Sequence, residues 1–231
     1  MNTSSIAYQI RSFGTRGARG HGWLQKYRAG QGGRHLQGRF HNRDTEKLTQ
    51  INNQVFELGS SSTFLDIEAE GQTHRIEIEL AEKALPNTSE NFRMLCQDGL
   101  YKQSKVFKIE PKVGLCLGDV TVDNTGRQGS CHESLNEESK TLGMPNCFQH
   151  ESTVVSHAQK GIVSMLAPGL DQNDSRFMIT TVEDAPHLDG RYVAFGRVKQ
   201  GMDVLEQLVK NTYTKRGSPT VQIQVVDSGC L

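Results

Sequence analysis

Residues 63–80 read TFLDIEAEGQTHRIEIEL, and apolar and polar side chains alternate along both halves of this segment. The apolar positions are 65, 67 and 69 in the first half and 76, 78 and 80 in the second. Alternation with a period of two is typical of a strand that buries one face. Glu70-Gly71-Gln72 has the composition of a turn between such strands. The segment therefore predicts two half-buried strands joined by a turn.

Further strands and two helices are predicted on the C-terminal side of this segment. Strand-like composition recurs at residues 106–109, 161–166, 176–182, 192–198 and 221–226. The first helix follows Pro86, with Asn87 as the N-cap and Glu90 three residues later, and the second follows Gly201. Many short strands with only two helices favour a mainly β chain, folded as a barrel that the helices cap.

The N-terminal part of the chain has a different composition. The first 56 residues carry nine Lys or Arg against two acids, whereas the remainder carries 17 against 24. Residues 1–43 include eight glycines and no acid, and such a segment cannot bury enough apolar surface to fold alone. We therefore predict an extended Arg- and Gly-rich arm at 1–60 and a folded domain at 61–231. The arm residues predicted to anchor a partner are Phe13, Arg16, Arg19, Trp23, Tyr27, Arg28, Arg34 and Phe40.

Cysteine and histidine spacing gives no sign of a metal or cofactor site. The five cysteines are odd in number, widely scattered and without a C-x-x-C pair, which favours a reducing, intracellular compartment. The histidines show no ligand spacing, so no metal and no cofactor is expected. No apolar run is long enough to span a bilayer, so no membrane partner is expected either.

Several local strings, in their order along the chain, resemble the cyclophilins. They are FLDI at 64–67, ENFR at 90–93, GD at 118–119, GIVSM at 161–165, SRFMIT at 175–180, LDGRYVAFG at 188–196 and the terminal DSGCL. The arm lies outside this resemblance. The resemblance implies a closed, eight-stranded antiparallel barrel capped by two helices. It also implies the family's reaction, which is rotation about the amide bond that precedes a proline.

That reaction needs an apolar slot for the proline ring and an arginine that hydrogen-bonds the prolyl nitrogen as amide conjugation is lost. The barrier is about 18–20 kcal/mol. At the position of this arginine the chain has Lys108, which keeps the charge but loses the planar fork of donors. Val113 and Gly114 replace the Phe and Met that line the slot, and Cys116 replaces the Gln that orients the arginine.

Most of the other predicted pocket positions also differ from the residues typical of the family. They are Leu166, Ala167, Arg176, Met178, His187, Leu188 and Tyr192. Arg176 and Met178 replace a Gln and a Phe, and only Leu188 keeps the residue typical of the family. The resemblance thus implies a degenerate peptide pocket with no assigned catalytic residue, and isomerase activity that is absent or very weak.

Two interpretations of the replaced residues remain open at this point. In the first, Lys108 is a solvated charge, Cys116 a buried small side chain and Met178 a core residue that packs against Val113. In the second, Lys108 and Arg176 stand side by side over a hollowed slot and bind an acidic peptide or a phosphate. The first interpretation is favoured because structural explanations of such residues are more common.

Three functions are compatible with these features. The leading hypothesis is a structural or scaffolding subunit of a large assembly, held by its arm on an acidic protein surface such as tubulin in the cytoskeleton or a ciliary axoneme. The second is a slow prolyl isomerase that assists protein folding and uses Lys108. The third is a ribonucleoprotein or ribosome-associated subunit whose arm binds RNA. A nuclear location remains open, and so does a mitochondrial one, because targeting peptides are also rich in Arg and free of acids.

Overall fold

The structure of the protein is a computed structural model, and it describes residues 43–135, 146–169 and 171–231. The eight arm residues predicted to anchor a partner all precede residue 43. They lie outside the described residues, so their role stays a prediction.

Twelve strands and three helices lie wholly within the described residues. The strands are β1 (Ser61–Ala69), β2 (Gln72–Leu80), β3 (Lys108–Glu110), β4 (Gly114–Leu117), β5 (Phe148–Gln149), β6 (Ile162–Met165), β7 (Gln172–Asn173), β8 (Phe177–Thr180), β9 (Ala194–Gln200), β10 (Thr214–Lys215), β11 (Ser218–Pro219) and β12 (Ile223–Cys230). The helices are α1 (Thr45–Glu57), α2 (Pro86–Gln97) and α3 (Met202–Asn211). Helices α2 and α3 are the two that the sequence predicts.

Eight of the strands form one antiparallel sheet in the order β12-β1-β2-β9-β6-β8-β4-β3. The sheet curls until its edges meet, because the segment before β3 bonds to β12. The amide of Val106 donates to the carbonyl of Ile223, and the amide of Val225 donates to the carbonyl of Ser104, both at 2.9 Å. These bonds close the barrel. The predicted mainly β, eight-stranded antiparallel barrel is therefore confirmed.

The inward-facing residues of the alternating segment form the barrel core. Positions 65, 67, 76, 78 and 80 are at most 1% exposed. The ring of Phe92, on α2, lies 5.1 Å from the rings of Phe177 and Phe195 and 5.2 Å from that of Tyr101. Helix α2 therefore covers the core with an aromatic cluster rather than lying on the surface of the barrel.

The N-terminus of α2 differs from the prediction. The helix begins at Pro86, one residue before the predicted N-cap Asn87. The carboxylate of Glu151 accepts hydrogen bonds from the amides of Asn87 at 2.8 Å and Thr88 at 2.6 Å. A residue far along the chain thus supplies the cap that a local side chain was expected to supply. Local spacing carries no signal for such a partner.

Helix α1 is the main difference from the predicted organisation. Residues 45–57, which the sequence analysis assigns to the extended arm, form a helix whose Val55 and Phe56 are 1% exposed and belong to the barrel core. The buried amide of Asn52 donates to the carbonyl of Ser156 and accepts from its backbone N–H, both at 2.9 Å. An extended conformation would leave this apolar surface in water. The division of the remaining chain into arm and domain stays a prediction.

Candidate functional site

The residues predicted to form the peptide pocket lie where β3, β4 and β8 run side by side. The register places Cys116 of β4 between Lys108 of β3 and Met178 of β8. Antiparallel pairing is what brings these three positions together, although they are far apart in sequence. The loop of residues 184–192 adds Leu188 and Tyr192 from the other side. The predicted residues are therefore neighbours in space.

Five of these neighbours form a small apolar cluster separate from the main core, which we name the satellite cluster. It consists of Val113, Cys116, Met178, Ala185 and Leu188. Each of the five is at most 8% exposed, so the side chains fill the space between the strands and the loop. Phe107, Leu166, Val182 and Tyr192 are half-buried and pack against it. The interpretation of Met178 as a packing partner of Val113 agrees with this geometry.

Gly114 is required by the approach of two strands rather than by an open pocket. Its φ angle is 146°, in a region that favours glycine, and a Cβ atom at this position would overlap the carbonyl oxygen of Ile179 on β8. A larger side chain, such as the Met of the family, does not fit here without movement of the backbone. The absence of a side chain at position 114, where the family has a Met that lines the proline slot, is therefore required by the close approach of β4 and β8.

We expect Gly114→Ala to lower the free energy of unfolding by about 2–4 kcal/mol, because the substitution adds backbone strain and a steric overlap. Urea denaturation measures the change. Gly71→Ala is the matched control, since Gly71 also has a positive φ, of 79°, but no atom within 4 Å of an added Cβ. The control should lose about 1 kcal/mol. Equal losses in the two variants would contradict the steric argument.

Lys108, at the position of the family's catalytic arginine, forms an ion pair with its neighbour on the same face of β3. Its Nζ atom lies 2.7 Å from Oε2 of Glu110, and the two side chains are 50% and 46% exposed. The hydrogen bond that Lys108 donates to Glu110 raises the pKa of Lys108 and lowers the pKa of Glu110. Lys108 is therefore a charged, solvated residue whose donors are shared with a carboxylate.

Cys116 is a neutral thiol in this environment. Burial raises its pKa to about 11, so the thiolate is scarce at physiological pH. A thiol is also a weaker hydrogen-bond donor and acceptor than the amide of the glutamine that it replaces. Cys116 thus packs in the satellite cluster and cannot orient the side chain of Lys108 as the glutamine orients arginine.

Arg176 points away from the satellite cluster into a buried ion pair. Its guanidinium donates to the carboxylate of Asp174 through Nε at 2.9 Å and Nη2 at 2.6 Å, and to the carbonyl of Gly126 through Nη1 at 2.9 Å. Asp174 is 1% exposed, and burial raises its pKa although Arg176 acts in the opposite direction. Arg176 therefore joins the loop around Gly126 to the start of β8.

These ion pairs bear on the two interpretations of the replaced residues. A joint anion pocket requires two cations that face the same open space. Lys108 is instead paired with Glu110, and Arg176 is paired with Asp174 and buried. The geometry agrees with the interpretation of Lys108 as a solvated charge, and the buried pair with Asp174 is a structural role for Arg176 that was not predicted. Of the remaining predicted positions, His187 is exposed and Ala167 is half-buried.

A buried network beside the site was not predicted from the sequence. Oγ of Ser164 lies 2.6 Å from Nε2 of His157, and Nδ1 of His157 lies 2.7 Å from Oδ1 of Asp189. These are the distances of a Ser-His-Asp triad, but His157 and Ser164 are fully buried, so no substrate reaches the hydroxyl. Although burial acts to raise it, the pKa of Asp189 is held below its ordinary value by His157 and Arg43. The network fixes the loop of residues 184–192 to β6.

The fold and the site together define a barrel of the prolyl-isomerase class, and the residues predicted to form its peptide pocket lie at β3, β4, β8 and the 184–192 loop. The family described as cyclophilin type peptidyl-prolyl cis-trans isomerase/CLD matches this chain over residues 64–229. The chain belongs to the cyclophilin-type peptidyl-prolyl cis-trans isomerase family.

Two further observations concern the classes of partner. In the described part of the chain, no helix has the length and apolar composition needed to cross a bilayer. Among the same residues, no three His, Cys, Asp or Glu side chains come together as a metal site requires. That the protein uses no cofactor stays a prediction.

Proposed function

We propose that this member of the cyclophilin family is a structural subunit of a larger assembly and catalyses prolyl isomerisation weakly or not at all. The observation that carries the proposal is the satellite cluster, in which Val113, Cys116, Met178 and Leu188 are packed against one another at the site of the family's proline slot. A proline ring needs an apolar cavity. Here the apolar surfaces that would line such a cavity are already in contact with one another.

The electrostatics of the site support the same proposal. Catalysis requires a donor aimed at the prolyl nitrogen when conjugation is lost, in a site that excludes water. Lys108 is half exposed and bonded to Glu110, so its charge is screened by solvent and by the carboxylate. Stabilisation of a twisted amide by Lys108 is therefore weak compared with that by a held guanidinium.

The competing function is a slow isomerase, and one observation favours it. The hydrogen bond that it donates to Glu110 raises the pKa of Lys108, so Lys108 remains charged, and the strand register places it beside Cys116 at the rim of the site. A peptide that displaced Glu110 from the ammonium group would meet a donor in the family's usual position. The two functions predict different results in one measurement.

We expect the full-length chain to leave the isomerisation rate of an Ala-Pro peptide unchanged in exchange NMR, where the uncatalysed reaction takes tens to hundreds of seconds. Acceleration that is lost in Lys108→Ala and kept in Lys112→Ala would overturn the proposal and establish the slow isomerase. Lys112 is a suitable control because it is an exposed lysine only four residues away.

The arm supplies the proposed attachment. Residues 1–42 contain seven basic residues and no acid, which suits an acidic protein surface such as that of a microtubule. Replacing Arg16, Arg19 and Arg28 by Gln should abolish co-sedimentation with microtubules, whereas Arg127→Gln, in an exposed loop of the folded domain, should not. Binding to RNA with a steep salt dependence, without binding to microtubules, would favour the ribonucleoprotein function instead.

A further inference from the structure

The arm enters the folded domain beside the candidate peptide site. Nη1 of Arg43, the first described residue, lies 2.6 Å from Oδ2 of Asp189, and its Nε lies 3.2 Å from Oδ1 of Asp184. These two aspartates flank the loop segment that carries Ala185 and Leu188, both members of the satellite cluster. The ion pairs thus fix the point from which residues 1–42 leave the barrel, and this point is at the rim of the site.

An apolar surface lies next to this exit point. Phe107, Leu166, Val182 and Tyr192 pack against the satellite cluster with one side and keep the other side accessible. We name these four residues the outer face of the cluster. Their exposed parts lie on one contiguous packing unit, and a chain that crosses it removes apolar surface from water at about 25 cal/mol per Å².

The arm segment that directly precedes Arg43 has the length and pattern to cover this face. Residues 34–42 read RHLQGRFHN, with Leu36 and Phe40 four residues apart. In an extended chain, residues separated by an even number point to the same side, so Leu36 and Phe40 face one surface together. An extended chain spans at most about 3.3–3.6 Å per residue, so the three residues from Arg43 back to Phe40 can reach about 10 Å and the seven back to Leu36 about 25 Å.

Two further observations favour residues 34–42 as the segment that covers the outer face: the charge of the arm, and a side-chain donor of Arg43 that has no acceptor in the described part of the chain. The arm is free of acids, whereas Glu183, which precedes Asp184, keeps 80% of its side chain accessible even though Nζ of Lys160 lies 3.7 Å from its Oε1 atom. The side chain of Arg43 is only 10% exposed, and its Nη2 atom finds no hydrogen-bond acceptor among the described residues. A buried donor of this kind requires a partner, and the backbone carbonyls of the residues that precede Arg43 in the chain are candidates for it.

We propose that residues 34–42 bind across the outer face of the satellite cluster, with Phe40 and Leu36 on Phe107, Leu166 and Tyr192. The candidate peptide site is then occupied by its own chain, and residues 1–33 remain available to a partner. The proposal is independent of whether the site retains slow catalysis, because it concerns only what covers the face.

Photo-cross-linking of the full-length chain tests the contact. We expect p-benzoylphenylalanine at position 40 to give intramolecular cross-links to peptides that contain Phe107 or Tyr192, found by mass spectrometry of the monomer band. The same group at position 13 is the matched control and should give none. Cross-links from position 40 only to other segments or only between molecules, or equal cross-linking from positions 13 and 40, would overturn the proposal.

Methyl NMR gives a second readout that does not depend on cross-linking chemistry. We expect Leu36→Ala together with Phe40→Ala to shift the methyl resonances of Leu166 and Val182, because aromatic ring currents and packing at the outer face are lost. The Phe13→Ala variant should leave both resonances unchanged. Identical methyl spectra for the native chain and the double variant would contradict the proposal, and so would the same shifts in the control.

Discussion

Arg176→Met lowers the free energy of unfolding by about 3–5 kcal/mol, because it leaves the carboxylate of Asp174 buried without its counter-charge. Asp174 is 1% exposed, and the guanidinium of Arg176 supplies two of its hydrogen bonds, at 2.9 and 2.6 Å. Methionine restores most of the volume of the side chain but none of the charge. Urea denaturation at pH 7 measures the loss.

The dependence of this loss on pH identifies Asp174 as its cause. Burial already raises the pKa of Asp174 in the native chain, and removal of Arg176 raises it further. The folded variant then binds a proton that the unfolded chain releases, so its stability rises as pH falls towards the pKa of the folded state. We expect the difference between variant and native chain to shrink between pH 7 and pH 5.

A double variant provides the control for charge burial. In Arg176→Met with Asp174→Asn, the side-chain oxygen of residue 174 can still accept from the backbone N–H of residue 176, a bond of 2.7 Å in the native chain. The double variant should regain a large part of the lost stability, since no charge is left buried. A loss below about 1 kcal/mol in Arg176→Met would show that the pair is not structural, and would reopen a role for Arg176 in ligand binding.

Phe56→Ala lowers the free energy of unfolding by about 3–5 kcal/mol, which is the usual range for removal of a buried phenylalanine. Phe56 is 1% exposed, and the guanidinium of Arg197 lies 4.5 Å from the centre of its ring. The variant opens a cavity beneath α1 and removes a cation–π contact. Thermal and urea denaturation of the full-length chain measure the effect.

Gln54→Ala is the matched control, because Gln54 lies on the exposed side of the same helix. It should change stability by less than about 0.5 kcal/mol. If Phe56→Ala were as mild as Gln54→Ala, α1 would be an independent helix resting on the barrel, and the extended arm would reach residue 60 as the sequence pattern predicts. A large difference between the two variants places residues 45–57 with the folded domain.

The sequence patterns predicted those parts of the barrel in which one face of a strand is buried. Strands β1 and β2 alternate between buried and partly exposed residues, so their period of two is visible in the sequence. All four residues of β4 are buried, as are those of β6 and β8, but the sequence GLCL of β4 contains no β-branched or aromatic residue, so neither alternation nor composition marked this strand. Helix α1 was missed because its basic and polar surroundings resemble the rest of the arm.

In the candidate site, the positions of the residues were predictable from the sequence, but their contacts were not. Resemblance to the cyclophilins identified the positions 108, 113, 116, 178 and 188, and the structure brings these positions together at β3, β4 and the 184–192 loop. The sequence left two interpretations of their roles open, and the observed burial and ion pairs agree with the structural one. The partner of Arg176 is two residues away, but its pairing depends on burial by the loop around Gly126.

The sequence alone indicated the family and the barrel, because these follow from local strings and from periodic burial, and the resemblance placed Lys108 at the position of the family's arginine. Only the tertiary structure decided what the replaced residues do. It pairs Lys108 with Glu110 and Arg176 with Asp174, and it removes room for a side chain at Gly114. These outcomes depend on distances between strands that are remote in sequence, and such distances are set only when the barrel closes.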